Sequence, residues 1–245
     1  MGSFLNRAID EFKRDIVGYI IATVIYVVIC VAISFAVGAV TAIIQIAFYQ
    51  IFQNMSPQIA KLLIYGIKLL TNLIVSALTI PLLLGYFFAI KERIRQGQMD
   101  YGNLFRCFSL NYLLPGYLAV IIINILIFLV MTLFMLPGVI MQTPPLLLLG
   151  LFPGLFVVIL ISVSVGFTNL FILDGETNGI SAILKSKSMV MNNFLSYAYL
   201  FLLVGGLQII GAVLCLVGLL ATVPIGFIAI VLCFEEHKFT ISSNQ

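Results

Sequence analysis

The charged residues of this chain are confined to a few short stretches. Of 21 charged residues (12 Lys and Arg, 9 Asp and Glu), 19 fall in four clusters, which run from Arg7 to Asp15, Lys91 to Arg106, Asp174 to Lys187 and Glu235 to Lys238. Only Lys61 and Lys68 interrupt the apolar runs between the clusters. Apolar runs of about 18 or more residues predict transmembrane helices, because about 20 residues are needed to cross the hydrocarbon core.

The composition favours a membrane helix bundle over a soluble domain or a barrel. Charged residues make up 9% of the chain, against about 25% in soluble domains. The apolar runs do not alternate apolar and polar residues as barrel strands do. We therefore predict an all-α polytopic bundle that forms one integral membrane domain over residues 1–245.

Prolines and glycines divide the longer runs into separate helices. A loop is predicted at Leu136–Gly138 and Gln142–Pro145, since adjacent prolines cannot continue a helix. The 41 residues from Phe194 to Phe234 are enough for two helices with a turn near Gly218, and Pro224 would open or kink the last one. The six predicted spans are about 16–38, 66–90, 113–136, 146–173, 194–216 and 220–235.

Basic residues predict the orientation. Ten of the twelve Lys and Arg residues lie at the two termini and in the loops after spans two and four, whereas the loops after spans three and five contain none. Because basic loops stay in the cytoplasm, both termini and those two loops are predicted to be cytoplasmic. Each of these loops also predicts a short amphipathic helix at the membrane interface, and Ile180, Ile183, Leu184 and Met191 form the apolar side of the second one.

Residues 39–65 are too long for a turn and too apolar for a solvated loop. Either the first two helices project beyond the outer face of the membrane, or this segment folds down as interfacial helices. Within and just after it, polar residues at steps of three and four form one helical stripe, made of Gln58, Lys61, Tyr65, Lys68 and Asn72. The lysines of this stripe either extend to outer-leaflet head groups or form a polar groove for an anionic ligand, a lipid phosphate or a partner.

Catalytic and metal-binding signatures are missing from the sequence. It contains no HExxH, GxSxG, P-loop or Rossmann motif, and its one histidine, His237, follows the last span. The four cysteines are scattered and form no CxxC pair, so they are read as small apolar packing residues. The net charge of +3 comes from bases at helix ends, which predicts no nucleic-acid binding. We expect no enzyme activity, cofactor or metal.

Short motifs carry a family resemblance over residues 70–236. It rests on the segment Asp174–Phe194, on the element Asp100-Tyr-Gly-Asn-Leu-Phe105, and on Gly85, Gly218 and Pro224. In these the chain resembles a family of uncharacterised bacterial six-helix integral membrane proteins, related to the membrane module of some glycerophosphodiester phosphodiesterases. The chain departs from that family in its long 39–65 segment and in having no catalytic domain. The resemblance implies the bacterial inner membrane and no particular activity.

Two functional hypotheses remain open at this point. The first is a non-catalytic scaffold, accessory subunit or assembly factor that binds a protein partner or a second copy through residues 39–56, as an apolar surface outside the bilayer would suit. The alternative is a transporter or permease-like subunit for a lipid or a small hydrophobic or anionic molecule, with the Gln58–Asn72 stripe as its polar contact.

Overall fold

The computed structural model describes residues 2–51, 57–141 and 143–238, apart from the side chains of 49–51, 57–63, 65, 68, 69, 72, 73, 77, 139, 140, 144, 147 and 215–217. These ranges form ten helices and no strand. The helices are α1 (Gly2–Arg14), α2 (Ile16–Ile51), α3 (Pro57–Gln96), α4 (Asn103–Arg106), α5 (Leu110–Ile140), α6 (Pro144–Ser164), α7 (Thr168–Leu173), α8 (Gly179–Met191), α9 (Phe194–Val213) and α10 (Cys215–His237).

Six stretches of helix are long and apolar enough to cross a membrane, which confirms the predicted all-α membrane bundle. They are Ile16–Phe48, Ile74–Gln96, Leu110–Gly138, Leu148–Leu173, Phe194–Val213 and Gly218–His237. The spanning helices pair in chain order as three hairpins, which are α2 with α3, α5 with α6, and α9 with α10.

One predicted loop was correct in part, and one predicted turn was misplaced. Helix α5 continues through Pro137 to Ile140, because one proline removes a single backbone hydrogen bond, whereas α6 begins at Pro144, within the predicted loop Gln142–Pro145. The turn between α9 and α10 is at Leu214 rather than near Gly218. Gly218 is instead a packing position, since a Cβ atom there would lie 2.5 Å from the carbonyl oxygen of Gly211 on the facing helix.

The fourth predicted span is interrupted after Ser164. The hydroxyl of Ser186 accepts a hydrogen bond from Phe167 N at 3.1 Å and donates one to Ser164 O at 3.0 Å. It therefore satisfies backbone groups that the interruption between α6 and α7 leaves without helical partners. This contact also fixes α8 against that break.

The two short helices after spans two and four differ in length. The first, α4, is a single turn, whereas α8 has 13 residues and begins at Asn178, whose side chain accepts a hydrogen bond from Ile180 N at 2.9 Å. Gly179, Ala182 and Ser186 form the buried face of α8, which packs on α5 and α7, while Ile180 and Leu184 point away from the protein. Of the predicted apolar side, Ile180, Leu184 and Met191 are exposed, whereas Ile183 packs against the core.

The segment 39–65 extends the first two long helices. Residues 39–51 continue α2 and residues 57–65 belong to α3, while 52–56 lie outside the described residues. At 1.5 Å per residue, the 36 residues of α2 span about 54 Å and the 40 residues of α3 about 60 Å. Both exceed a hydrocarbon core of about 30 Å, so for the described residues the structure matches the projecting alternative.

The two ends of the bundle are packed very differently. At the end that contains the charged clusters, here called the charged end, α1, α3, α7 and α10 bury a continuous core that includes Tyr19, Tyr86, Phe167 and Phe234. Toward the other end, here called the apolar end, the helices are much less covered. No described side chain is buried between Val24 and Phe48 in α2 or between Ile121 and Pro137 in α5.

Candidate functional site

The five residues of the predicted polar stripe lie on α3, but the structure describes only their backbone and not their side chains. The structure therefore does not test the grouping of Gln58, Lys61, Tyr65, Lys68 and Asn72. The helix does give their height, because Lys68 lies 23 positions and Lys61 30 positions before Lys91 at the charged end. At 1.5 Å per residue these separations are about 35 and 45 Å, both longer than a hydrocarbon core of about 30 Å.

The most elaborate arrangement of charged groups is centred on Lys91, near the C-terminal end of α3. The Lys91 side chain is 4% exposed and pairs with Asp174, which directly follows α7, and with Glu235 Oε1 of α10 at 3.3 Å. Lys238 Nζ contacts the same two carboxylates, at 3.1 Å from Asp174 Oδ2 and 2.9 Å from Glu235 Oε2. Arg95 Nη2 lies 3.2 Å from Glu235. We call these five residues the Lys91 cluster.

A turn at Gly175 and the aromatic ring of Phe234 position the Lys91 cluster. Gly175 has φ +106°, a conformation that favours glycine, and it turns the chain just after Asp174. The ring of Phe234 lies beneath both cations, with its centre 6.0 Å from Lys91 Nζ and 5.7 Å from Lys238 Nζ. The cluster therefore joins the ends of α3, α7 and α10 in one contact.

Ion pairing keeps Asp174 ionised. Burial alone would raise the pKa of this carboxyl, but the hydrogen bonds and positive charges of Lys91 and Lys238 outweigh burial and hold the pKa below its ordinary value. The pKa of Glu176 is lowered chiefly by its hydrogen bond from Lys185. Both carboxylates are thus charged in the folded protein at neutral pH.

A second group of charges surrounds Arg93, which lies two positions after Lys91 in α3. Its guanidinium is mostly buried and binds the N-terminal region, with Nε 3.0 Å from Asp15 Oδ2 and Nη1 3.4 Å from Glu11 Oε1. Asp15 also accepts a hydrogen bond from Gly18 N at 3.0 Å, which satisfies a free donor at the start of α2. Nearby, Arg7 Nη1 lies 2.5 Å from Glu236 Oε2 and attaches α1 to α10.

These contacts define a structural role for the charged end. Lys91 and Arg93, both buried, each contact two carboxylates, as a buried charge requires. No group of three or more His, Cys, Asp or Glu residues suited to a metal ion occurs within the described part of the chain. These carboxylates and cations hold the helices of the charged end together.

A separate, apolar groove lies between α2 and α3 toward the apolar end. Its volume is about 400 Å³, and it is lined by side chains that include Val37, Val40, Ile44 and Ile74. Its two threonines bond to each other, with Thr41 Oγ1 2.8 Å from Thr71 Oγ1. Each hydroxyl also lies within hydrogen-bonding distance of a carbonyl in its own helix, so one threonine donates to its carbonyl and the other to its carbonyl or to the neighbouring threonine. The groove therefore presents no unsatisfied hydroxyl proton to an apolar occupant.

Sequence reasoning missed the N-terminal helix and the partners of the buried cations. Helix α1 packs on α10 through Phe4, Ala8 and Phe12, and this step of four residues is the pattern of an amphipathic helix. The unequal burial of Lys91, Arg93 and Arg95 has no comparable signal, because all three lie in one charged stretch and only the tertiary fold distinguishes them.

Comparison with known proteins gives no relative in which these features could be compared. No family model, curated protein or solved structure matches the chain.

Proposed function

We propose that this chain is a non-catalytic multi-pass membrane protein that acts as a scaffold, accessory subunit or assembly factor. The observation that carries the proposal is the uncovered apolar end, where no described side chain is buried over Val24–Phe48 or Ile121–Pro137. Helices that were complete by themselves would bury their seams against one another, whereas these leave surface for the helices of another chain. The fully paired charges of the Lys91 cluster support a fixed platform rather than a reaction centre.

The proposal places the protein in the bacterial cytoplasmic membrane with both termini in the cytoplasm. The charged end supports this orientation, because Arg7 of α1 and Glu236 of α10 pair there and the two basic loops join the same end. It also keeps the suggested relationship to bacterial six-helix membrane proteins, on the motifs at Asp100–Phe105 and Asp174–Phe194. A cysteine-labelling scan should label residues 139–145 from outside the cell and residues 96–103 from inside; the reverse pattern would refute the orientation.

The partner hypothesis is tested by purification from native membranes in mild detergent. We expect a partner or second copy to co-purify in fixed stoichiometry, and Phe35→Ala with Phe128→Ala to reduce its recovery severalfold. Both side chains are largely exposed at the apolar end. Leu110→Ala is the matched control, because Leu110 is equally exposed but lies at the charged end of α5. A monodisperse monomer from every preparation would contradict the hypothesis.

The groove between α2 and α3 supports a second candidate, a permease-like subunit that binds a lipid or small hydrophobic molecule. Its apolar lining, at a height that includes the outer part of the membrane, suits an acyl chain. Val40→Trp should fill the groove and lower the amount of lipid retained after delipidation. In the same assay Lys61→Ala with Lys68→Ala should weaken retention of an anionic ligand; unchanged retention would leave those lysines only the role of contacting head groups.

A further inference from the structure

A mixed-charge cavity lies at the charged end, apart from the Lys91 cluster. Its volume is about 300 Å³, at the small end of the range for ligand pockets. It is lined by one stripe of α1 and by two apolar side chains from neighbouring helices, namely Arg7, Asp10, Glu11, Arg14, Ile94 and Leu232. The two basic and two acidic residues face a single crevice, so its lining is neutral overall.

The position of this cavity is the boundary between the apolar and charged layers. Leu232 belongs to a spanning segment, Gly218–His237, whereas α1 carries six of the chain's charged residues when its neighbour Asp15 is included. The buried face of α1, formed by Phe4, Ala8 and Phe12, fixes the helix against α10 and turns the polar stripe toward the crevice. A crevice at this boundary is level with phospholipid head groups.

Two charged groups of the cavity, Arg14 and Asp10, retain hydrogen-bonding capacity, whereas Arg7 is paired with Glu236 and Glu11 with Arg93. Arg14 uses Nη1 to contact Glu11 Oε2 at 2.9 Å, and Asp10 has Lys13 at 3.9 Å, while both the Arg14 and Asp10 side chains are 73% exposed. A guanidinium has five N–H donors and a carboxylate can accept several bonds. Both an anionic and a cationic group can therefore be bound side by side.

We propose that this cavity binds the head group of a phosphoethanolamine lipid. The exposed Arg14 matches its phosphodiester, and the exposed Asp10 matches its primary ammonium, which donates three hydrogen bonds. Arg7 and Glu11 line the cavity beside them while keeping their own ion pairs. Ile94 and Leu232 cover the glycerol and the start of the acyl chains. A phosphocholine head group has no N–H donor for the carboxylates, and a phosphoglycerol head group presents the same phosphodiester but no ammonium to pair with Asp10.

Native mass spectrometry of the full chain tests this site. The protein is exchanged into detergent micelles that contain equal amounts of dioleoyl phosphatidylethanolamine, phosphatidylcholine and phosphatidylglycerol. We expect the first lipid to be retained about tenfold over phosphatidylcholine, a difference of about 1.4 kcal/mol. Asp10→Asn combined with Arg14→Gln, which leaves the net charge unchanged, should remove the preference.

Lys187→Gln is the control, because Lys187 is an exposed base of α8 that does not line the cavity. This variant should keep the preference for phosphatidylethanolamine, and thermal unfolding should confirm that both variants fold. Equal retention of the three lipids, stronger retention of phosphatidylglycerol, or a preference that persists in the double variant would each overturn the proposal.

Discussion

The charged end and the apolar end of this bundle differ in how far their helices are packed against one another. At the charged end, four helices and two turns converge on buried cations, and each of those cations contacts two carboxylates. At the apolar end, α2 and α5 run through long stretches with no buried side chain among those described. In a bilayer no hydrophobic driving force brings apolar side chains together, since lipid is equally apolar, so helix association depends on close packing and on polar contacts. Polar contacts therefore determine at which end the helices of this protein pack closely together.

The largest expected effect is at Lys91. Lys91→Met removes the cation between Asp174 and Glu235 and leaves two partly buried carboxylates to be satisfied by Lys238 and Arg95. Loss of one partner of a buried ion pair costs about 3–5 kcal/mol, so we expect a large fall in the temperature of thermal unfolding. Lys187→Met, at an exposed position of α8, should change stability by less than about 0.5 kcal/mol. Equal effects of the two substitutions would contradict the role given to the cluster.

Substitutions at two glycines compare how tightly the two ends are packed, without a change of charge. A Cβ atom at Gly85 would lie 2.0 Å from the carbonyl oxygen of Leu104, whereas one at Gly38 has no neighbour within 4 Å. Gly85→Ala must separate α3 from α4 and should destabilise the protein by about 1–3 kcal/mol. Gly38→Ala should instead be neutral or stabilise α2 by up to about 1 kcal/mol. A destabilising effect of Gly38→Ala would mean that the apolar end is closed.

Acid should weaken the charged end selectively. The pKa of Asp174 is lower in the folded protein than its ordinary value, so its stabilising contribution is complete above an unfolded-state pKa of about 3.9. That contribution is lost as the pH falls through the lower, folded pKa, because the folded state must then take up a proton. The unfolding temperature in detergent should fall below about pH 4, and Asp174→Asn should make that fall shallower. An identical acid profile for both proteins would exclude Asp174 as a contributor.

The smallest expected effect is at the apolar end of the isolated protein. Phe35 is 79% exposed, so Phe35→Ala removes few contacts within the chain. We expect the stability of the purified monomer to change by less than about 0.5 kcal/mol, as measured by thermal unfolding in detergent. A loss of several kcal/mol would show that Phe35 packs inside the bundle.

The sequence predicted those features that follow from local patterns. Run length predicted six membrane-crossing helices, and the structure has six such stretches among the described residues. Gly218 was misread as a turn because sequence alone does not separate a glycine needed for bending from one needed for close helix packing. The pairing of Lys91 with Asp174, 83 positions away, depends on tertiary structure and has no local signal. The polar stripe on α3 remains a prediction.

Double electron–electron resonance in lipid nanodiscs tests the contrast between the ends most directly. One pair of spin labels, at Phe35 of α2 and Phe128 of α5, measures the apolar end, and a second pair, at Lys13 of α1 and Lys187 of α8, measures the charged end; all four positions are exposed. We expect a narrow distance distribution for the charged-end pair and a broad one for the apolar-end pair, because no described side chain of α2 between Val24 and Phe48 or of α5 between Ile121 and Pro137 is buried. Equally narrow distributions for both pairs in the isolated protein would contradict this account.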